Sequence, residues 1–159
     1  MKIRQETPAD YDAITKITTK AFRQADEAQL ISQLRKDGDI KISLVAYDEN
    51  NIIGHIALSC LKSPKNALAL GPVSVIPEKQ KQGVGITLIN HAIAQAQQKE
   101  VALIFVLGDP AYYTRFGFSV DLGAQYPCPY AGPYFMGLNL LDCALPPAAI
   151  IYPNAFNEL

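Results

Sequence analysis

Residues Gln80 to Gly85, Gln-Lys-Gln-Gly-Val-Gly, stand where a β-like run gives way to a helical repeat. A helix start leaves about four backbone N–H groups without partners and carries partial positive charge. Glycines at 83 and 85 remove side chains that would hold an anion away from those donors. Phosphate is the anion such a loop suits, with Lys81, ahead of Lys79, as a nearby cation. Two glycines alone are equally consistent with a tight strand-to-helix turn that binds nothing. Two further kinds of residue could move protons. Tyr112 and Tyr113 follow the cap signal Asp109-Pro110, and a positioned tyrosine hydroxyl is a competent general acid. His55 lies in an apolar strand-like run, and an unperturbed imidazole titrates near ~6.5, where it can take a proton. A satisfied core histidine is the other reading of His55. His91, on the flank of a helix, reads as structural, and Glu78 as solvent-facing.

Several chemistries are absent from the pattern. Gly83-Val84-Gly85-Ile86-Thr87-Leu88 lacks the third glycine of a dinucleotide fingerprint, and no acidic residue follows at the needed spacing. No Gly-Lys-Ser/Thr is present, which excludes a P-loop NTPase, and no Gly-x-Ser-x-Gly, which disfavours a serine hydrolase. Cys60, Cys128 and Cys143 are scattered with no CxxC pair, so we expect reduced thiols, a cytoplasmic setting and no zinc site. With only two histidines, no metal is expected.

The elements that must position these residues follow from periodicity and turn chemistry. Lys2 to Gln5 is strand-like. Thr7-Pro8-Ala9-Asp10 carries the cap, the first-turn proline and the acidic residue of a helix start, and Ile14, Ile17, Ala21 and Phe22 repeat at helical spacing. Asp26 to Lys36 is a second helix, stopped near Gly38. Ile42 to Tyr47 and Ile52 to Leu61 form a hairpin across Asp48 to Asn51. Ala67 to Ile76 is a strand interrupted by Gly71-Pro72, since proline cannot donate a ladder hydrogen bond. Gly83 opens a long helix to Lys99 that buries Val84, Leu88, Ala92 and Ala96. Val101 to Leu107 is wholly apolar, as a strand covered on both faces should be. A brief helix then ends before Gly117, and a proline- and tyrosine-rich region carries one more strand, Tyr134 to Leu141. We expect one α/β domain over residues 1–159.

Two motifs in order make a family resemblance. Gln80-Lys81-Gln82-Gly83-Val84-Gly85 resembles the acyl-CoA signature of the GCN5-related N-acetyltransferases (the GNAT family). Val73-Ser74-Val75-Ile76-Pro77-Glu78 resembles that family's strand 4 and its exit. Tyr112-Tyr113-Thr114-Arg115-Phe116-Gly117-Phe118 resembles its closing Tyr-x-x-x-Gly-Phe motif. Together with Leu107-Gly108-Asp109-Pro110-Ala111, the pattern is most similar to the bacterial YhbS-like subgroup. The resemblance spans roughly residues 70 to 118 and implies the GNAT acyl-CoA N-acyltransferase fold. That is a mixed sheet of about seven strands with about four helices, whose parallel strands 4 and 5 splay apart at the bulge. It implies acetyl-CoA as acyl donor, its pantetheine arm along Val73, Ser74 and Val75, and its pyrophosphate on the loop from Gln80 through Lys81, Gln82, Gly83, Val84 and Gly85 to Ile86. A backbone N–H near Val73 would steady the oxyanion. Tyr113, four residues before the glycine, would protonate the leaving thiolate. The helix before it is shorter than usual, so Tyr112 is its rival. His55 is the residue placed to take the proton of the amine.

The implied reaction is acetyl transfer to a primary amine, on a small molecule or a peptide. Two alternatives stay open: a degenerate acyl-CoA-binding domain without catalysis, and a toxin that acylates aminoacyl-tRNA. Net charge near −1 argues against nucleic acid and anionic membrane as partners. The polar start and the lack of a run of ~20 apolar residues argue against a leader or a membrane span. A monomer or a homodimer fits equally well. The loop from Tyr126 to Tyr134 and the last strands, aromatic with few charges, should wall the acceptor site.

Overall fold

The computed structural model describes residues 1–141 and 146–158. Six strands form one mixed sheet in the order β1-β2-β3-β4-β5-β6. They are β1 (Lys2–Gln5), β2 (Ile40–Asp48), β3 (Asn51–Cys60), β4 (Ala67–Val75), β5 (Leu103–Leu107) and β6 (Phe135–Asn139). All neighbouring pairs are antiparallel except β4 and β5. The expectation was about seven strands, and six are found among the described residues. Instead of a seventh, the extended chain near Ile151 bonds back to Lys62 and Ser63 through Lys62 N–H to Ile151 O at 2.8 Å. Cys143 falls outside the described residues.

The helices are α1 (Tyr11–Phe22), α2 (Asp26–Asp37), α3 (Val84–Gln98) and two single turns, α4 (Pro110–Tyr113) and α5 (Val120–Gly123). The Thr7 signal does not start α1 directly. It caps a 3₁₀ turn, Pro8–Asp10, through Thr7 N–H to Asp10 Oδ2 at 2.7 Å. Gly38 ends α2 with φ 76° and gives its N–H to Arg35 O. On one face of the sheet α3 buries Val84, Leu88, Ile89, Ala92 and Ala96 against Leu44, Ile56, Leu68 and Ile104. Each such aliphatic side chain contributes about 1.5–3 kcal/mol by leaving water. Gly54 permits this seating, because a Cβ there would lie 3.0 Å from both Leu88 and Val84. On the other face α1 and α2 place Ile14 and Ile31 against Val45.

One irregularity shapes the site. Ile56 pairs with Val73 and Leu58 with Leu70, so Gly71 and Pro72 bulge out of the β3–β4 ladder. Gly71 has φ 136°, a conformation that disfavours any side chain. Beside it, β4 and β5 pair only from Ala67–Leu103 to Ala69–Phe105. The two strands part before the bulge is reached, which leaves one edge of β4 without a strand partner at Val73 and Val75.

Candidate active site

The first part of the site is the loop from β4 into α3. Gly83 takes φ 87° and Lys81 φ 64°, which turns the backbone sharply into the helix. No acidic residue stands in the first turn of α3, and no side chain caps it. Among the described residues, none of the N–H groups from Lys81 to Ile86 donates to a protein acceptor. Five of these six residues, Lys81, Gly83, Val84, Gly85 and Ile86, border one groove of about 390 Å³, lined also by Val75, Tyr112 and Arg115. Gln80 borders this groove and Gln82 does not. Their side-chain amides donate back to Val75 O at 3.0 Å and Glu78 O at 3.1 Å, which braces the loop. Val84 is buried, and Ser74 is too, its hydroxyl 3.3 Å from Thr18, so both offer a ligand only backbone atoms. Lys79 lies 3.9 Å from Asp48. Arg115 is the cation that the sequence reading missed. It donates to Tyr112 O at 2.9 Å and stacks 4.7 Å over the Tyr112 ring. Its spacing three residues after Tyr112 on a helical turn was the available signal.

The two tyrosines divide the neighbouring space between them. A narrow groove of about 320 Å³, bounded by Phe22, Val73, Val75, Gly85, Tyr112 and Tyr113, joins the loop to a larger cleft. Tyr112 belongs to the loop side, and a Cβ on Gly85 would come within 3.2 Å of its hydroxyl. Tyr113 faces the groove and the cleft but not the loop. Asp109 sets both, accepting from Ala111 N–H at 3.0 Å while its carbonyl accepts from Tyr112 and Tyr113 N–H. Burial, with Tyr112 adding to it, pushes the Tyr113 hydroxyl up to about 12. Burial also raises Tyr112, with Arg115 opposing. At neutral pH, then, Tyr113 keeps its proton.

The cleft encloses about 490 Å³ between the parted strands. Leu70, Val73 and Phe105 form its floor, Tyr130 comes from the expected wall, and Tyr152 and Phe156 come from the C-terminal segment. Glu27 of α2 is its one carboxylate among the described residues. Neither Glu27 nor the C-terminal aromatics could be found from sequence, because they reach the cleft only through long-range packing. No three of His, Cys, Asp and Glu gather to hold a metal among the described residues. No helix is long and apolar enough to cross a membrane there.

His55 is not in the cleft. It is 0% exposed and points from β3 to the α1–α2 face. Its Nε2 lies 2.7 Å from Ser43 Oγ and 3.4 Å from Glu6 Oε1, while Nδ1 has no partner. Ser43 gives its single hydrogen to Glu6 at 2.6 Å, so we assign the Nε2–H tautomer, donating to Ser43. A protonated ring would bury an unpaired Nδ1–H, and burial accordingly lowers the titration of His55. Burial works to raise Glu6, but the adjacent His55 N–H and bonds from Arg35 and Ser43 outweigh it and hold the carboxyl at about 2. A neutral, enclosed imidazole has no route to an amine in the cleft.

A loop with free N–H donors, an open strand edge and a half-buried tyrosine thus border adjoining spaces. A model of the acetyltransferase (GNAT) domain matches residues 39–120, more than half of the chain. The chain belongs to the GNAT family of acetyltransferases. It is 33% identical to the uncharacterized N-acetyltransferase YhbS of Escherichia coli K12 over 135 residues, covering 80% of this chain and 81% of the relative. It is 35% identical to the uncharacterized N-acetyltransferase YjhQ of the same strain, over 79% of this chain and 74% of the relative. The crystal structure of E. coli YhbS in complex with CoA superposes with a TM-score of 0.90 at 28% identity, over 98% of this chain and 91% of that one. A GNAT acetyltransferase from Brucella melitensis, in complex with acetyl-CoA, matches with a TM-score of 0.84 at 32% identity, over 98% of this chain and 97% of that one. The parallel, splayed β4 and β5 are the GNAT fold, and membership makes the protein an acyl-transferring enzyme.

Proposed function

We propose that residues 1–159 act as one N-acetyltransferase domain that moves an acetyl group from acetyl-CoA directly to a primary amine. One observation carries this reading: three connected spaces suit the three parts of the reaction. The loop groove is bordered by five residues with free N–H donors, together with Arg115 and the Lys81 side chain, which suits a pyrophosphate. The narrow groove runs along the open edge of β4 at Val73 and Val75, where an amide-bearing arm can bond like an added strand. The cleft beyond it is enclosed enough to take a small acceptor.

Tyr113 stands where groove and cleft meet, and we assign it the general acid. As the amine nitrogen bonds to the thioester carbon and the carbon–sulfur bond breaks, Tyr113 gives its proton to the departing sulfur and regains one from water. The backbone N–H near Val73 steadies the charge that builds on the carbonyl oxygen. Since His55 is enclosed, the proton of the amine leaves to solvent through the open cleft. Free thiols at Cys60 and Cys128 suit a reducing cytoplasm.

Incubation of the purified protein with acetyl-CoA and a panel of primary amines tests the proposal. Free CoA should appear together with the N-acetyl amine, identified by mass. Acetyl-CoA that binds on the loop but yields no acetylated amine across the panel would favour the binding-only alternative.

A further inference from the structure

Among the described residues the cleft presents a single charged side chain, Glu27, in an apolar surface. Phe22, Val73 and Tyr113 are shared with the narrow groove, so they mark the end of the cleft that meets the acyl donor. Glu27, Leu30, Tyr130, Tyr152 and Phe156 border the cleft and not the narrow groove. Glu27 stands in the first turn of α2, one helical turn before Leu30, which belongs to the buried cluster against which Phe156 packs. Its carboxylate oxygens accept from Gln24 Nε2 at 2.8 and 2.9 Å, an exposed side chain that a ligand can displace. Among the described residues no Lys or Arg borders the cleft. Tyr130 and Tyr152 lie 5.3 Å apart at 73°, and Tyr152 and Phe156 5.0 Å apart at 47°. Aromatic faces beside one carboxylate recognise a cation carried on an apolar stem, by charge pairing and by the ring quadrupole. An acceptor with a carboxylate would instead meet repulsion from Glu27.

The geometry points to a diamine as the acceptor class, its attacking amine at Tyr113 and its second ammonium at Glu27, with an apolar stem between. This rests on the cleft being the acceptor site, as proposed above. Glu27 is then a specificity-determining residue that holds the acceptor in register with the thioester.

A matched pair tests it: 1,5-diaminopentane and pentylamine share a stem and differ by one charge. Calorimetric titration of each into the CoA-loaded protein, wild type and Glu27→Gln, reads binding without relying on turnover. Wild type should bind the diamine about 10-fold more tightly or better, and Glu27→Gln should bring the ratio close to one. Glu27→Lys should bind 6-aminohexanoate in preference to the diamine. CoA affinity, retained in each variant, shows that the fold is intact. Equal binding of the pair by wild type, binding of neither, or a preference that survives Glu27→Gln, overturns the inference. Should the diamine bind through Glu27 and receive no acetyl group, the inference stands and the proposed reaction falls. Should both amines be acetylated with equal KM, the reaction stands and the inference falls.

Discussion

A side chain at position 108 would lie 2.4 Å from the Tyr113 ring, so the glycine there decides where that hydroxyl points. The ring rests on bare backbone, edge-on to Tyr112 at 5.0 Å and to Phe118 at 5.9 Å. Tyr113→Phe keeps these contacts and removes only the proton source. Turnover should fall, by ~10²–10⁴-fold if the usual worth of a general acid applies, with acetyl-CoA affinity little changed. Tyr112→Phe alters a hydroxyl over Gly85 instead, so any effect should appear in affinity rather than kcat. Stopped-flow release of CoA, measured beside equilibrium binding, separates the two. If Tyr112→Phe is the one that slows release, the roles are exchanged by one position. The tyrosine pair was legible in the sequence, but choosing between its members was not. That choice depends on the contact with Gly108 and on which groove each ring borders.

At the scale of elements, the loop and α3 are held by interactions close in sequence. Gln80 reaches Val75, Gln82 reaches Glu78, and Thr87 Oγ1 reaches Gly83 O at 2.8 Å. Locality is why this unit could be read from residue order: strand, glycines and helical stripe are neighbours in the chain. Gly85→Asp tests it. The new side chain would enter the space of Tyr112 and add a negative charge where the free N–H groups converge. Charge-assisted hydrogen bonds are worth about 1.5–3 kcal/mol, so losing two of them should weaken acetyl-CoA binding by about 100-fold or more. Calorimetry on the variant, with circular dichroism to show the fold intact, checks this. Unchanged affinity would remove the pyrophosphate from the loop. The parting of β4 and β5 was legible only in outline. Gly71-Pro72 marks the bulge, but pairing already ends at Ala69 and Phe105.

Across the whole molecule, the contacts that escaped the sequence are those between distant segments. Arg35 meets Glu6 at 3.0 Å across 29 positions, and Lys62 meets Asn154 across 92. The first of these joins β2, β3 and α2 through the carboxyl just beyond β1, and it carries a pH signature. Glu6 titrates at about 2 in the fold against an ordinary 4.5, so its contribution is complete above about 4.5 and lost as pH falls toward 2. That shift corresponds to about 3 kcal/mol. His55, lowered by burial from 6.5, acts in the same direction: its contribution is complete above 6.5 and declines as the pH drops below that value. Urea unfolding across pH should show wild type more stable than Glu6→Gln near neutrality, with the gap closing toward pH 2. A gap independent of pH would mean that the carboxylate does not anchor the network. The path from loop to cleft is tested most directly by a crystal structure of the protein with CoA. The pyrophosphate oxygens should lie within hydrogen-bond distance of the N–H groups of Lys81 to Ile86, and the sulfur should lie beside the Tyr113 hydroxyl. A pyrophosphate bound away from that loop, or a sulfur nearer Tyr112 than Tyr113, would contradict it.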